Sequence, residues 1–294
     1  MIRNTGAARP MPGCPFAEYK ADLHLHSVYS DGLKTPAGLC RMAVKAHVNV
    51  LSLTDHDTAA GCGEMRAAAI ENGLAYLPGV EISTGAGGKV HVLAYGPAVE
   101  SRGMQEWLAA IAADRQQRAA EMIRRLEQNG ISLSQEVCRE LLRNPAVGRP
   151  HIARALVETG AASNVRQAFD RWLVEGKPGY VPRAHLLTRD AVRTVRDLGA
   201  VPVLAHPTQT GLEWPALYAL VEDLRSCGLM GVEAWHSCAS RTQARQLDGM
   251  ARASGLLVTG GSDYHGDAGS TVQVGKPGWA GAQEDIDRLM AVIG

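Results

Sequence analysis

Short apolar runs of strand length alternate with segments of helical periodicity through most of the chain, and nearly every run ends in a histidine or a carboxylate. Residues 48–54 run into Asp55-His56-Asp57, and residues 74–77 continue through Gly79-Val80 to Glu81. Residues 89–95 carry His91, residues 201–205 lead to His206-Pro207, residues 229–235 stop at His236, and residues 256–259 precede Asp263-Tyr264-His265. Between them, helices are expected over 36–46, with Thr35 as cap and Pro36 at the first helical position, and over 58–72, ending at Gly73. Further helices should run from a Thr188 cap to Gly199, from about 215 and from about 241. Alternation of this kind argues for parallel strands joined by right-handed crossovers. In a barrel of such strands the C-terminal ends share one face, which is where active sites are built. Histidines with only packing roles would have no preference for strand ends. His91, inside its run, is the partial exception.

Residues 22–31 give the densest cluster, Asp-Leu-His-Leu-His-Ser-Val-Tyr-Ser-Asp. On a strand, positions i and i+2 share a face, so His24 and His26 point one way and Leu23 and Leu25 the other. Alone, the pair reads either as metal ligands or as hydrogen-bonded strand histidines, and the later clusters favour the metal. His24, His26, Asp31, His56, Glu81, His91, His206, Asp263 and His265 offer more donors than one ion needs. Imidazole with carboxylate and no thiolate suits zinc, manganese or iron. Glu81 could bridge two ions, which would lower the pKa of a shared water to give hydroxide near neutrality. Clustered cations would also neutralise a transferring phosphoryl group. Asp22, Asp55 and Asp57 are expected either to orient these imidazoles or to cap turns.

The rhythm changes between residues 98 and 185. Met104, Trp107, Leu108, Ile111, Met122, Ile123 and Leu126 fall at helical spacing, with shorter helices expected over 150–158 and 163–172. This predicts an all-α insertion in a barrel formed by residues 18–97 and 186–294, with residues 1–17 as a loose leader. Trp107, Phe169 and Trp172 read as the insertion's core rather than as a base-stacking platform. Thirty Lys and Arg balance thirty Asp and Glu, so no net field draws in long duplex nucleic acid or an anionic membrane. Six scattered cysteines without a C-x-x-C pair, and no apolar run of spanning length, suggest a cytoplasmic protein with reduced thiols. No obligate protein partner is evident.

The segments DLHLHSVYSDG, LTDHD, GVEIS, AHP and GSDYH, in this order over residues 20–95 and 186–267, resemble the PHP (polymerase and histidinol phosphatase) family of metal-dependent phosphoesterases. The resemblance implies a distorted (β/α)7 barrel and two or three divalent ions, manganese foremost, with zinc or iron as alternatives. One ion would take His24, His26, Glu81 and Asp263. A second would share Glu81 with His91 and His206, and a third would use Asp31, His56 and His265. Some relatives carry histidine where this chain has Asp31, which bears on metal preference. The helical insertion with GRPH (148–151) and GKPGYV (176–181) is similar to the family's bacterial nucleoside 3',5'-bisphosphate phosphatases, some of which trim short RNA from its 5' end. The implied substrate is therefore a small phosphorylated nucleotide or a short oligoribonucleotide. Arg149 would clamp a second phosphate, assisted by Lys177 or Arg183, unless these are surface cations of a helical cap. His151 would donate to that phosphate or cap its helix, and His236 is either a proton donor to the leaving oxygen or structural. A histidinol-phosphate or other small-molecule phosphatase is the rival enzyme, and a non-catalytic metal-binding interaction module the rival of another class.

Overall fold

The computed structural model describes residues 18–85, 90–182, 186–267, 270–279 and 282–293. The expected leader and Arg183 lie outside the described residues. Seven strands form one sheet in sequential order: β1 (Ala21–Asp22), β2 (Val50–Leu53), β3 (Ala75–Thr84), β4 (Val90–Tyr95), β5 (Val201–Leu204), β6 (Gly231–His236) and β7 (Leu257–Gly261). Leu25 bridges to Tyr264, and the Leu23 amide donates to the Gly260 carbonyl, so the first and last strands meet and the sheet curls into a barrel.

The expectation of uniformly parallel strands is corrected at β4, which runs antiparallel to both β3 and β5. The connection from Thr84 to Val90 is too short for a helical crossover, and a connection that short joins only antiparallel neighbours. Helix boundaries also shift. The helix after β2 is α2 (Cys62–Glu71), preceded by a turn rather than starting at 58. In α7 (Thr188–Asp197) the cap position is Leu187, and the Thr188 hydroxyl bonds instead with that of Thr84. By contrast α1 (Pro36–Lys45) starts as its residues demand, with the Thr35 side chain accepting from the Gly38 amide at 3.1 Å.

Strand periodicity divides the core. In β4, Val92 and Ala94 join Val80, Ile82, Leu204 and Val232 beneath α7, α8 (Trp214–Ser226) and α9 (Arg241–Ala253). Leu93 and Tyr95 face the other way, toward Leu23, Val203, Leu257 and the C-terminal α10 (Ala282–Ile293). The Tyr95 hydroxyl donates to the Leu23 carbonyl at 2.8 Å, which satisfies a polar atom deep in that layer. Each fully buried aliphatic side chain contributes about 1.5–3 kcal/mol.

Between β4 and β5 the described elements are helical: α3 (Arg102–Gln128), α4 (Gln135–Arg143), α5 (Arg149–Glu158) and α6 (Val165–Ala168), which passes into a π-helical turn at Phe169–Leu173. Packing does not change at residue 98. Met104, Trp107, Leu108 and Ile111 lie on the barrel cluster, so Trp107 is not core of the helical region. Ala119, Met122, Ile123 and Leu126 instead pack with α5 and α6, where Phe169 and Trp172 also sit. A helix of this length reaches about 40 Å, so one element serves both cores.

Candidate metal centre

Backbone geometry at one rim of the barrel turns the strand ends inward. Leu23 and Leu25 are buried in the layers outside the site, which leaves the His24 and His26 rings on the inner face. After β2 the chain is locked onto β3 by a bridge between His56 and Glu81, with the Asp57 amide donating to the Glu81 carbonyl. Three site residues adopt left-handed backbone, Asp57 (φ 52°), His206 (φ 26°) and Asp263 (φ 57°). Each costs about 1–3 kcal/mol, held in place by its surroundings.

Glu81 stands at the middle. Its Oε1 lies 2.7 Å from His91 Nδ1 and 2.8 Å from His206 Nε2. Its Oε2 lies 3.0 Å from His56 Nδ1, 3.2 Å from His26 Nε2 and 3.3 Å from His24 Nε2. His24 Nε2 and His26 Nε2 are only 3.1 Å apart, and Asp263 Oδ1 is 3.5 and 3.2 Å from them. Asp31 meets His265 at 3.2 Å and both His56 and His26 at 3.8 Å. Four groups of three or four donors emerge among the described residues: His24, His26, Glu81 and Asp263; His26, Asp31, His56 and His265; His56, Glu81 and His91; His24, Glu233 and His236. His26 thus borders two groups, and His206 reaches Glu81 beside His91.

These residues fit divalent cations. Glu81 Oε2 and His206 Nδ1 are buried without a hydrogen-bond partner, and imidazole lone-pair atoms converge on carboxylate oxygens. Such a set is costly unless a cation or protons fill it. Protons do so in the metal-free protein. Burial works against the charge on His26 but is outweighed by Asp263 and Glu81, so its pKa is pushed up to about 10. Burial opposes ionisation of Glu81, Asp31 and Asp263, yet the surrounding imidazoles hold all three well below the usual carboxylate range. His56 goes the other way, to about 3, because burial dominates.

Other expected residues are placed as follows. His236 is buried, with Nε2 3.3 Å from Asp263 Oδ2 and Nδ1 accepting from the Cys238 amide at 3.1 Å. Burial disfavours its charge, but Glu233 and Asp263 raise its pKa to about 10. Asp22, Asp55 and Asp57 accept from backbone amides and side-chain donors of their neighbours. Asp22 accepts from the Ser262 and Gly275 amides, and Asp57 from the Ser83 amide. Asp55 accepts from Ser30 Oγ at 2.6 Å, and that oxygen lies 3.5 Å from His26 Nδ1.

Beside the donors opens a cleft of about 180 Å³, lined by Asp31, His56, Ser83 and His91 on one side and by Arg115, Arg118, Arg149 and Tyr180 on the other. Arg149 is the first residue of α5, and its guanidinium lies 6.0 Å from the Phe169 ring centre. His151 turns away from the cleft: Nδ1 accepts from the Gly148 amide and Nε2 donates to the Ser30 carbonyl. These contacts are those of the helix-capping alternative for His151. Lys177 is exposed on the turn before Tyr180 and is not among the residues lining the cleft.

Two residues escaped the reading of the sequence. Glu233, fully buried in β6, lies 2.9 Å from His24 Nδ1 and accepts from the His206 amide at 2.7 Å. Its signal was a carboxylate between Val232 and Ala234 in an apolar strand, a place that demands a partner. Arg115 was equally visible, since it continues the stripe Met104, Leu108, Ile111 along α3 and so places a cation on a buried face.

A PHP domain model matches residues 22–173, half of the chain. The chain belongs to the PHP family. Among curated relatives, the 5'-3' exoribonuclease Rnm of Escherichia coli is 36% identical over 83% of this chain and 84% of its own. The 3',5'-nucleoside bisphosphate phosphatase of Chromobacterium violaceum is 33% identical over 85% of this chain and 90% of its own. A solved structure from Chromobacterium violaceum, described as an amidohydrolase with bound sulfate and no metal, superposes with a TM-score of 0.82. It is 31% identical and covers 93% of this chain and 96% of its own. The seven-stranded, barrel-like mixed sheet agrees with the distorted barrel that the resemblance implied. Among the described residues, no helix is long and apolar enough to cross a membrane.

Proposed function

We propose that this PHP protein is a phosphoesterase that removes a phosphate from nucleoside 3',5'-bisphosphates, and that the same centre hydrolyses short RNA from its 5' end. One observation carries the reading: the carboxylate and imidazole donors around Glu81 open onto a cleft whose far wall is cationic, at Arg149 and Arg118. The relatives' activities and the sulfate in the Chromobacterium structure, a tetrahedral oxyanion like phosphate, support it.

His24, His26, Glu81 and Asp263 would hold one ion; Glu81, His91 and His206 a second; Asp31, His56 and His265 a third. Manganese is the first choice, with zinc or iron as alternatives. Bound cations supply a water of lowered pKa and neutralise charge on the phosphoryl oxygens. The chain's own residues do the rest. Arg149 presents a planar fork to the phosphate that stays, which fixes the nucleotide's direction in the cleft. His236 accepts the Cys238 amide at Nδ1, which leaves its proton on Nε2 beside Asp263, ready to reach the leaving oxygen. The free Cys40, Cys62, Cys138, Cys227 and Cys238 suit a cytoplasmic setting.

The test is a panel of nucleoside 3',5'-bisphosphate, histidinol phosphate, an aryl phosphate and a 5'-phosphorylated short RNA, each with manganese. Arg149→Ala should lower kcat/KM on the bisphosphate by about 100-fold, the worth of a charge-assisted bidentate contact, and on the aryl phosphate far less. Equal losses would remove Arg149 from substrate recognition. Preference for histidinol phosphate would replace the substrate, and no hydrolysis across the panel would leave a metal-binding interaction module.

A further inference from the structure

Arg115 lines the cleft and yet its hydrogen bonds go to the protein itself. A guanidinium carries five N–H donors in one plane. Nε donates to Asp57 Oδ2 at 2.6 Å. Nη2 lies 2.5 Å from the same oxygen and donates to Ser83 Oγ at 2.9 Å. Nη1 donates to the Ala146 and Val147 carbonyls at 3.0 and 3.3 Å.

The two edges of this plane hold different parts of the site. On one edge, Asp57 follows His56 directly, and Ser83 lies two residues beyond Glu81 with its hydroxyl 3.4 Å from His56 Nδ1. On the other edge, the two carbonyls immediately precede Gly148-Arg149. Gly148 fits this contact because a Cβ there would stand 3.1 Å from Nη1. The span between metal donors and Arg149 is therefore bridged by a rigid, largely buried group rather than by loop backbone alone. Helix α3 repeats the device for the neighbouring turn, with Arg118 donating to the Val181 carbonyl and Arg125 to that of Tyr180.

We propose that Arg115 is a positioning residue that sets how far Arg149 stands from the metal donors, and so selects substrates whose second phosphate lies at that span. The inference rests on the phosphoesterase reading. A remote phosphate contributes to turnover only if its anchor is held at the right separation from the reacting group. Freed from Arg115, residues 146–149 would sample several positions, and bisphosphate binding would weaken.

The experiment compares Arg115→Met with the wild-type holoenzyme on a nucleoside 3',5'-bisphosphate and on an aryl phosphate, with metal per chain measured alongside. Expected are a fall in kcat/KM on the bisphosphate of about 10- to 100-fold, carried mainly by KM, a much smaller fall on the aryl phosphate, and retained metal. Equal falls on both substrates, or loss of metal, would overturn the assignment. Because Arg115→Met strands a buried Asp57 carboxylate and could unfold the chain, Gly148→Ala serves as second variant. It leaves the Asp57 pair intact, presses on Nη1, and should shift selectivity the same way; unchanged selectivity counts against the proposal. Amide exchange at residues 146–149 reads the tether without catalysis. It should quicken in Arg115→Met, and unchanged exchange would overturn the proposal. If the wild type hydrolyses no phosphate ester, the phosphoesterase reading falls and the exchange measurement alone decides whether Arg115 is the tether.

Discussion

Replacing Glu233 by glutamine should strip metal from the centre although Glu233 need not touch an ion. The buried carboxylate makes two short contacts, to His24 Nδ1 at 2.9 Å and to the His206 amide at 2.7 Å. Burial opposes its ionisation, but the His24, His236 and His206 charges outweigh this and hold its pKa low. With Nδ1–H given to Glu233, the His24 lone pair is fixed on Nε2, facing Glu81 and Asp263. Glutamine keeps one acceptor oxygen, and its NH2 group must then face the other N–H donor. At least one charge-assisted hydrogen bond is lost, worth about 1.5–3 kcal/mol. If the whole of that loss falls on the metal-bound state, affinity drops by about 10- to 100-fold, the usual range for such supporting carboxylates. Competition against a chromophoric chelator measures the affinity, and the melting temperature of the metal-free variant checks that it is folded. A folded Glu233→Gln protein binding metal within about twofold of wild type would refute the reasoning, since an orienting bond of that strength cannot vanish without effect.

Two further outcomes follow from the same geometry. In the metal-free protein, the His26 pKa is raised from 6.5 to about 10, so its stabilisation is complete below 6.5 and is lost as pH rises through 10. Cations need unprotonated imidazoles, so the rise in melting temperature on adding metal should grow across that window; a constant or shrinking rise would contradict it. Gly261→Ala should displace the His24 backbone, because a Cβ there would lie 2.3 Å from His24 Cβ. Lower metal content per chain would show this, and a fully metallated variant would speak against so close an approach.

Much of the centre could be read from the chain because its donors are local to strand ends. His24 and His26 share a face by the two-residue period, and Leu23 and Leu25 declare which face is buried. What escaped depends on contacts distant in sequence. Glu233 meets His24 across 209 residues and Arg115 meets Asp57 across 58, and nothing in either local pattern names the partner. The carboxylates beside the histidines stayed ambiguous for the opposite reason: adjacent to ligands in sequence, Asp22 and Asp55 accept from backbone amides and hydroxyls, and Asp57 from the Ser83 amide and Arg115. The reversed β4 was concealed by its composition, which is that of any buried strand. Only the shortness of the link after Thr84 betrays its direction.

The seam where the barrel closes has a consequence for how the chain holds itself together. β1 and β7 are joined there by few backbone contacts, among them Leu23 to Gly260, Asp263 to His24 and His26 to Tyr264. The donors facing that join come from both sides, His24 and His26 from the start of the chain, Asp263 and His265 from near its end. An ion shared between them is a staple across the longest loop in the molecule, where closing the ring costs the most chain entropy. Metal would then stiffen the closure of the barrel as well as supply chemistry, and a chelator should quicken amide exchange at the seam before it does so at any other pair of strands.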